Sequence, residues 1–210
     1  MLEVPSWVEG VMMRLVTKRV AVVTALVLVG LAVPGALFAQ GAKADVEPFA
    51  EGAAITGTSG ISRGSEAVSI WARSEGLEPG HVVTMWFVIF NNPGGCDTSP
   101  CTGADLGNEA AEGSVIYADG AIVGGNGIAH HAGRRNYGYN GVVLFGDGLT
   151  TANAEIHIVL RSHGEQLTGM VASQMTTLNG GCAPSAGFDD SINGIAGPNV
   201  CDDIAFAIHE

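Results

Sequence analysis

The chain has 210 residues, 31 of them glycine, and a formal net charge of −12, with charged residues making up only 14% of it. Three of its nine Lys and Arg residues and two of its 21 Asp and Glu residues precede residue 40, so the remainder carries a formal charge of −13. A surface of that sign repels phosphate backbones and anionic lipid, which argues against a nucleic-acid partner.

Residues 1–12 contain Glu3 and Glu9 and no basic residue. They are expected to be an upstream start-codon extension, with Met12 or Met13 the better start. Residues 13–39 read as a signal peptide: Arg14, Lys18 and Arg19 lead into an uncharged apolar run that ends in small residues. Pro34-Gly35 breaks the signal helix shortly before Ala39. That break favours cleavage, after Ala39 or, second, after Ala44. The alternative is an uncleaved anchor, the only membrane contact expected. The working protein is therefore expected to be secreted or periplasmic, about 170 residues long and one domain. Lipid attachment is not expected, since no cysteine stands at the cut.

Residues 40–52 are small and acidic and read as a linker. A single domain follows over 53–210. Strands are expected at 53–58 and 67–74, then a Pro79-Gly80 turn. Residues 81–91 are apolar on both faces and should be a covered, central strand. Strands at 114–118 and 121–128 flank Asp119-Gly120, which has the composition of a two-residue hairpin turn. Further strands are expected at 140–145, 154–163, 167–178 and 204–209. The fold class is all-β, an antiparallel two-sheet β-sandwich with a closed β-barrel as the alternative.

The four cysteines allow three connectivities. The local one, Cys96–Cys101 with Cys182–Cys201, closes short turn-rich loops and suits an oxidising compartment. A four-cysteine zinc site is the alternative, and the wide second spacing does not fit it.

One segment combines core and chemistry. Along 154–163, Glu155, His157, Val159, Arg161 and His163 share one strand face, and Ala154, Ile156, Ile158, Leu160 and Ser162 the other. The polar row is either a solvated outer face or a site. As a site, Glu155 and His157 would share a proton or a metal, and Arg161 and His163 would hold an anion. His130 or His131 would complete a copper or zinc set. Arg134, Tyr137 and Tyr139 are candidate ligand contacts in a glycine-flexed loop, and Trp71 is a further aromatic. Asp189, Asp190 and Asn193, with Asp202 and Asp203 nearby, form an oxygen-rich stretch suited to calcium but not spaced as an EF-hand loop. No cofactor is required by any motif. No nucleophile elbow, His-Glu-x-x-His, P-loop or dinucleotide fingerprint occurs.

Leu77-Glu-Pro-Gly80, the stretch from Trp86 to Pro93, Cys96…Cys101, Ala154-Glu-Ile-His157, Arg161-Ser-His-Gly164 and the late Cys-Asp-Asp resemble secreted bacterial β-sandwich proteins of unassigned function. That resemblance implies export and a β-rich domain, and no catalytic residue. A weaker likeness is to chordin-type and copper–zinc superoxide-dismutase-like sandwiches, which place a similar turn before a histidine-bearing strand. The dismutase pattern needs a His-x-His pair. Here the histidines run His130-His131 and His157-x₅-His163, which tells against a dismutase site.

The expected function is a non-catalytic binding or structural module with an unknown surface ligand or protein partner. A metal-binding protein or metalloenzyme using the Glu155, His157 and His163 face, and a polysaccharide-binding or polysaccharide-hydrolysing domain, are the alternatives.

Overall fold

The computed structural model describes residues 41–138, 141–184 and 193–210. The expected start-codon extension and signal peptide lie outside them, as do Tyr139, Asp189 and Asp190.

All-β architecture holds. Among the described residues nine strands, β1 (Ala42–Pro48), β2 (Thr56–Arg63), β3 (Ala67–Glu75), β4 (His81–Phe90), β5 (Gly113–Ile122), β6 (Ala129–Asn136), β7 (Val143–Phe145), β8 (Glu155–Glu165) and β9 (Asp202–His209), form one antiparallel sheet in the order β6-β3-β2-β1-β9-β8-β4-β5-β7. The expected pair of separate sheets is therefore corrected to one curled sheet, a half-barrel. The joint is β1. Its first part pairs with β2 (Ala42 to Val46 against Ile61 to Gly57), and its end pairs with β9 (Glu47 and Pro48 against Phe206 and Ala205).

The curl brings the two halves face to face over one core. Ile61, Val68, Ile70 and Ala72 from β2 and β3 meet Val83, Met85, Phe87 and Ile89 of β4 and Ile156, Ile158 and Leu160 of β8. Edge strand β6 closes toward β5 through side chains. Arg135 donates to Tyr117 O and Ala118 O, and Asp119 Oδ2 accepts the Ala132 N–H at 2.8 Å.

Three sequence expectations are corrected here. Residues 42–48 of the supposed linker are strand β1, because Lys43, Asp45 and Glu47 alternate with Ala44 and buried Val46. The small apolar residues hide a period-2 pattern. Asp119-Gly120 is not a hairpin turn: β5 runs through it, with a register shift opposite Met85 and Trp86. The chain turns instead at 124–127, where Gly127 N–H bonds Gly124 O.

Residues 167–178 are not a strand but carry helix α1 (Val171–Thr176). Leu167, Met170, Val171, Gln174 and Leu178 recur at helical spacing. Gln174 is fully buried and bonds the Leu167 N–H and the Glu165 carbonyl, which ties α1 to the end of β8.

Gly120 owes its place to this helix, since a Cβ there would lie 2.1 Å from Met175 O. Gly120→Ala is expected to lower stability by about 1–3 kcal/mol in urea unfolding. Gly125→Ala, with nothing within 4 Å of its Cβ position, should leave the unfolding midpoint unchanged.

Candidate functional site

The row on β8 is neither a solvated face nor an open site. Glu155 is 3% exposed, His157 1% and His163 0%. β8 lies against β4 with Phe90 opposite Glu155, Val88 opposite His157, Trp86 opposite Val159 and Thr84 opposite Arg161. These rows form a second apolar layer on the outside of the curled sheet. Cys101, Leu106, Ala111 and Leu178 cover it. The cover consists of two segments, each held by a disulfide: Cys96–Cys101 and Cys182–Cys201.

Glu155, Arg161 and His163 bond to the cover, and His157 bonds to Glu155. Glu155 Oε1 accepts the Cys101 N–H at 2.8 Å and lies 2.6 Å from His157 Nε2. A proton must sit between those two atoms. His157 packs its ring edge-on to Phe90, and its Nδ1 is buried with no partner among the described residues. Beside them, Asp105 binds the Asp97 and Thr102 N–H groups and the Thr102 hydroxyl. Burial works to raise the Asp105 pKa, but those bonds outweigh it and hold the carboxyl below its usual range.

At the other end, Arg161 donates to Leu178 O, Asn179 Oδ1 and Asp203 Oδ1. Burial pushes the Asp203 pKa up despite that guanidinium. His163 joins a chain of four groups. Trp86 Nε1–H donates to Thr84 Oγ1, Thr84 lies 2.9 Å from His163 Nε2, and His163 Nδ1 lies 2.9 Å from Gly180 O. Gly180 O only accepts, so Nδ1 carries the proton and Nε2 takes the threonine hydroxyl. Burial lowers the His163 pKa to about 4, which keeps the ring in this neutral form.

The expected metal set does not converge. His157 and His163 are six residues apart on one strand, about 20 Å. His131 is on the inner side of the sheet, where its Nε2 reaches Val83 O at 3.1 Å, and His130 points outward from β6. Among the described residues, one group of three potential ligands comes within 4.8 Å: His163, Cys182 and Cys201. The two sulfurs are bonded to each other, which leaves the imidazole alone.

The calcium candidates are divided as well. Asp203 faces Arg161, Asp202 is exposed, and Asn193 is buried with its carbonyl on the Asn179 N–H. Arg134 bonds Asn136 Oδ1, and the Tyr137 hydroxyl donates to Gly64 O.

Two of the candidate contacts, Trp71 and Arg134, instead share a surface that the sequence does not assemble, the outer face of β1, β2, β3 and β6. The register aligns Lys43, Gly60, Trp71 and Ala132 in one row across the four strands. Neighbouring rows hold Ser62, Ser69 and Arg134 on one side, and Asp45, Thr58, Arg73 and His130 on the other. Trp71 is 43% exposed. A Cβ on Gly60 would lie 2.6–2.8 Å from its indole, so the ring lies across that glycine. Lys43, Arg134, His130 and Ala132 are exposed, and Arg73 is ion-paired with Glu75. Three of the six basic residues after residue 40 thus share this face with the exposed indole. The signal was present in the alternation of 67–74, which places Trp71 opposite Ile70 and Ala72.

No family model, curated protein or solved structure matches the chain.

Two measurements test the buried row. Burial also lowers the pKa of His131, and that of His209 to about 4, the latter with help from Arg63. Between pH 6.5 and 4 the unfolded chain takes up protons that these folded histidines refuse, so stability must fall with falling pH. His163 and His209 should each contribute on the order of 3 kcal/mol across that window. Urea midpoints at pH 6.5, 5.75 and 5 should drop steadily, and His163→Gln should flatten the slope by about one proton. A pH-independent midpoint contradicts the assignment. Separately, Arg161→Ala strands Asp203 and two loop acceptors, and should cost about 3–5 kcal/mol.

Proposed function

We propose that the chain is an exported, disulfide-stabilised, non-catalytic binding module that acts at the cell surface or in the periplasm through the outer face of β1, β2, β3 and β6. The observation that carries this is the contrast between its two polar surfaces. The β8 row, with two of the six histidines, is bonded internally to the loops above it. The outer face instead presents an aromatic ring, cations and small polar residues to solvent.

Export is supported by the basic and apolar leader pattern and by two disulfides. Among the described residues no helix is long and apolar enough to cross a membrane. A binding role suits the construction. A rigid sheet presents Trp71 without a loop to order, which lowers the entropic cost of engagement.

The test needs no knowledge of the ligand. Incubated with the washed, opened envelope fraction of cells that export it, the purified wild type should sediment with the envelopes, and Trp71→Ala should leave most of it in the supernatant with an unchanged melting curve. Equal retention of the two proteins would remove Trp71 from the binding face.

A further inference from the structure

The outer face carries chemistry specific enough to name a ligand class. Resting on the binding face just described, we propose that its ligand is an acidic polysaccharide, with one sugar ring stacked on the Trp71 indole and carboxylates of adjoining sugars held by Lys43 and Arg134.

Geometry comes first. Adjacent strands are about 4.8 Å apart, and residues two apart on one strand about 7 Å. Lys43 is two strands from Trp71 on one side. Arg134 is one strand and one row away on the other. The cations therefore flank the ring at about 8–10 Å, in a band across four strands. Gly60 and Ala132 occupy the remaining places in the Trp71 row. No bulky side chain in that row stands above the ring. The indole lies against Gly60 and remains 43% exposed, which leaves ring surface free to stack on the C–H face of a pyranose.

Charge selects the acid. Past residue 40 the chain has a formal charge of −13, yet Lys43, Arg73 and Arg134 gather here. The acids near this face are Asp45 in the Arg73 row, Glu75 bonded to Arg73, and Asp119, whose carboxylate is engaged by the Ala132 N–H at the β6 edge. Arg73 is thereby neutralised, which leaves Lys43 and Arg134 as the cations beside the ring. At physiological salt a charge is felt over about 8 Å, so this patch acts locally despite the net charge.

Two cations on opposite sides of the ring match a uronic-acid polymer, whose carboxylates recur along the strand on both sides of the stacked sugar. A nucleic acid is the competing polyanion, with its charge on phosphates, and is an arm of the test below. Ser62, Ser69 and Thr58 provide hydroxyls beside the ring for sugar hydroxyls.

Calorimetric titration of the purified protein with alginate and polygalacturonate tests this. Carboxyl-reduced polygalacturonate and oligo(dT) are the comparison probes. The uronate polymers should bind, and more weakly as salt rises. Trp71→Ala should weaken binding ~10-fold or more. Lys43→Gln and Arg134→Gln should each weaken it about 2- to 5-fold. Ser69→Glu, an exposed change beside Arg134, should weaken uronate binding and spare the carboxyl-reduced polymer. It also serves if Trp71→Ala does not fold.

Equal affinity for the carboxyl-reduced polymer overturns the acidic ligand but leaves the face. Tighter binding of oligo(dT) overturns the polysaccharide. Binding indifferent to Trp71 and Ser69 overturns both site and ligand. If no polymer binds while envelope retention still depends on Trp71, the ligand class fails and the binding face stands. If retention is also indifferent to Trp71, both fail.

Discussion

Glu155 and His163 are buried, and Arg161 is largely so, on a strand whose neighbour, β4, is apolar on that same side apart from Thr84. Polar groups in that position are costly unless the hydrogen bonds lost to water are replaced. The replacements come from backbone that would otherwise have no regular partner: the Cys101 N–H, the Leu178 carbonyl and the Gly180 carbonyl. The dependence runs both ways. The buried row needs the two disulfide-held segments above it, and those segments take their conformation from the row. Each disulfide limits how far its segment can drift in the unfolded chain, and the polar contacts specify where it lands. This explains why strongly hydrogen-bonding side chains are placed where apolar ones would pack as well. Apolar side chains would bury the area, but they would not satisfy the loop carbonyls.

Much of the fold was legible because β-sheet periodicity is strict. The spans of β3, β4, β8 and β9 follow from alternation or from a doubly apolar run between turn residues, and the turn at Pro79-Gly80 ends where the strand begins. Elements built from small or mixed residues were not legible. In β1, Ala42 and Ala44 give too weak a contrast with Lys43 and Asp45 to announce a strand, and pairing on both sides supplies what the sequence lacks. At Asp119-Gly120 the composition of a turn arises from other needs: a carboxylate for the Ala132 N–H and a bare backbone beneath Met175.

The fate of the β8 row was also partly readable, though not from β8. A central strand that is apolar on both faces has to be covered on both. If Val88 and Trp86 are dry, the residues opposite them on the next strand, His157 and Val159, are dry too. That inference needs only the pairing of 81–90 with 155–165. Alternation by itself treats each strand as though it had one wet face, and so returns a polar outer surface. What no local pattern contains is the identity of the cover, because Leu106 and Leu178 reach the sheet from segments far apart in sequence.

The same logic makes the Trp71 face distinctive. Where the β4–β8 half is covered, outward positions are apolar or internally bonded. Where the β2–β3–β6 half is uncovered, they are small, hydroxylated or charged, with one exception. Trp71 leaves nearly half its surface in water beside a glycine that accommodates its ring. A serine or threonine at 71 would meet the demands of an exposed strand, and an inward core has no use for a side chain on this side. The indole partly shields the Gly60 backbone, but a smaller aromatic would do that as well. A large amphipathic ring on a rigid, cation-bearing sheet is better accounted for by something that lies against it than by the fold beneath it.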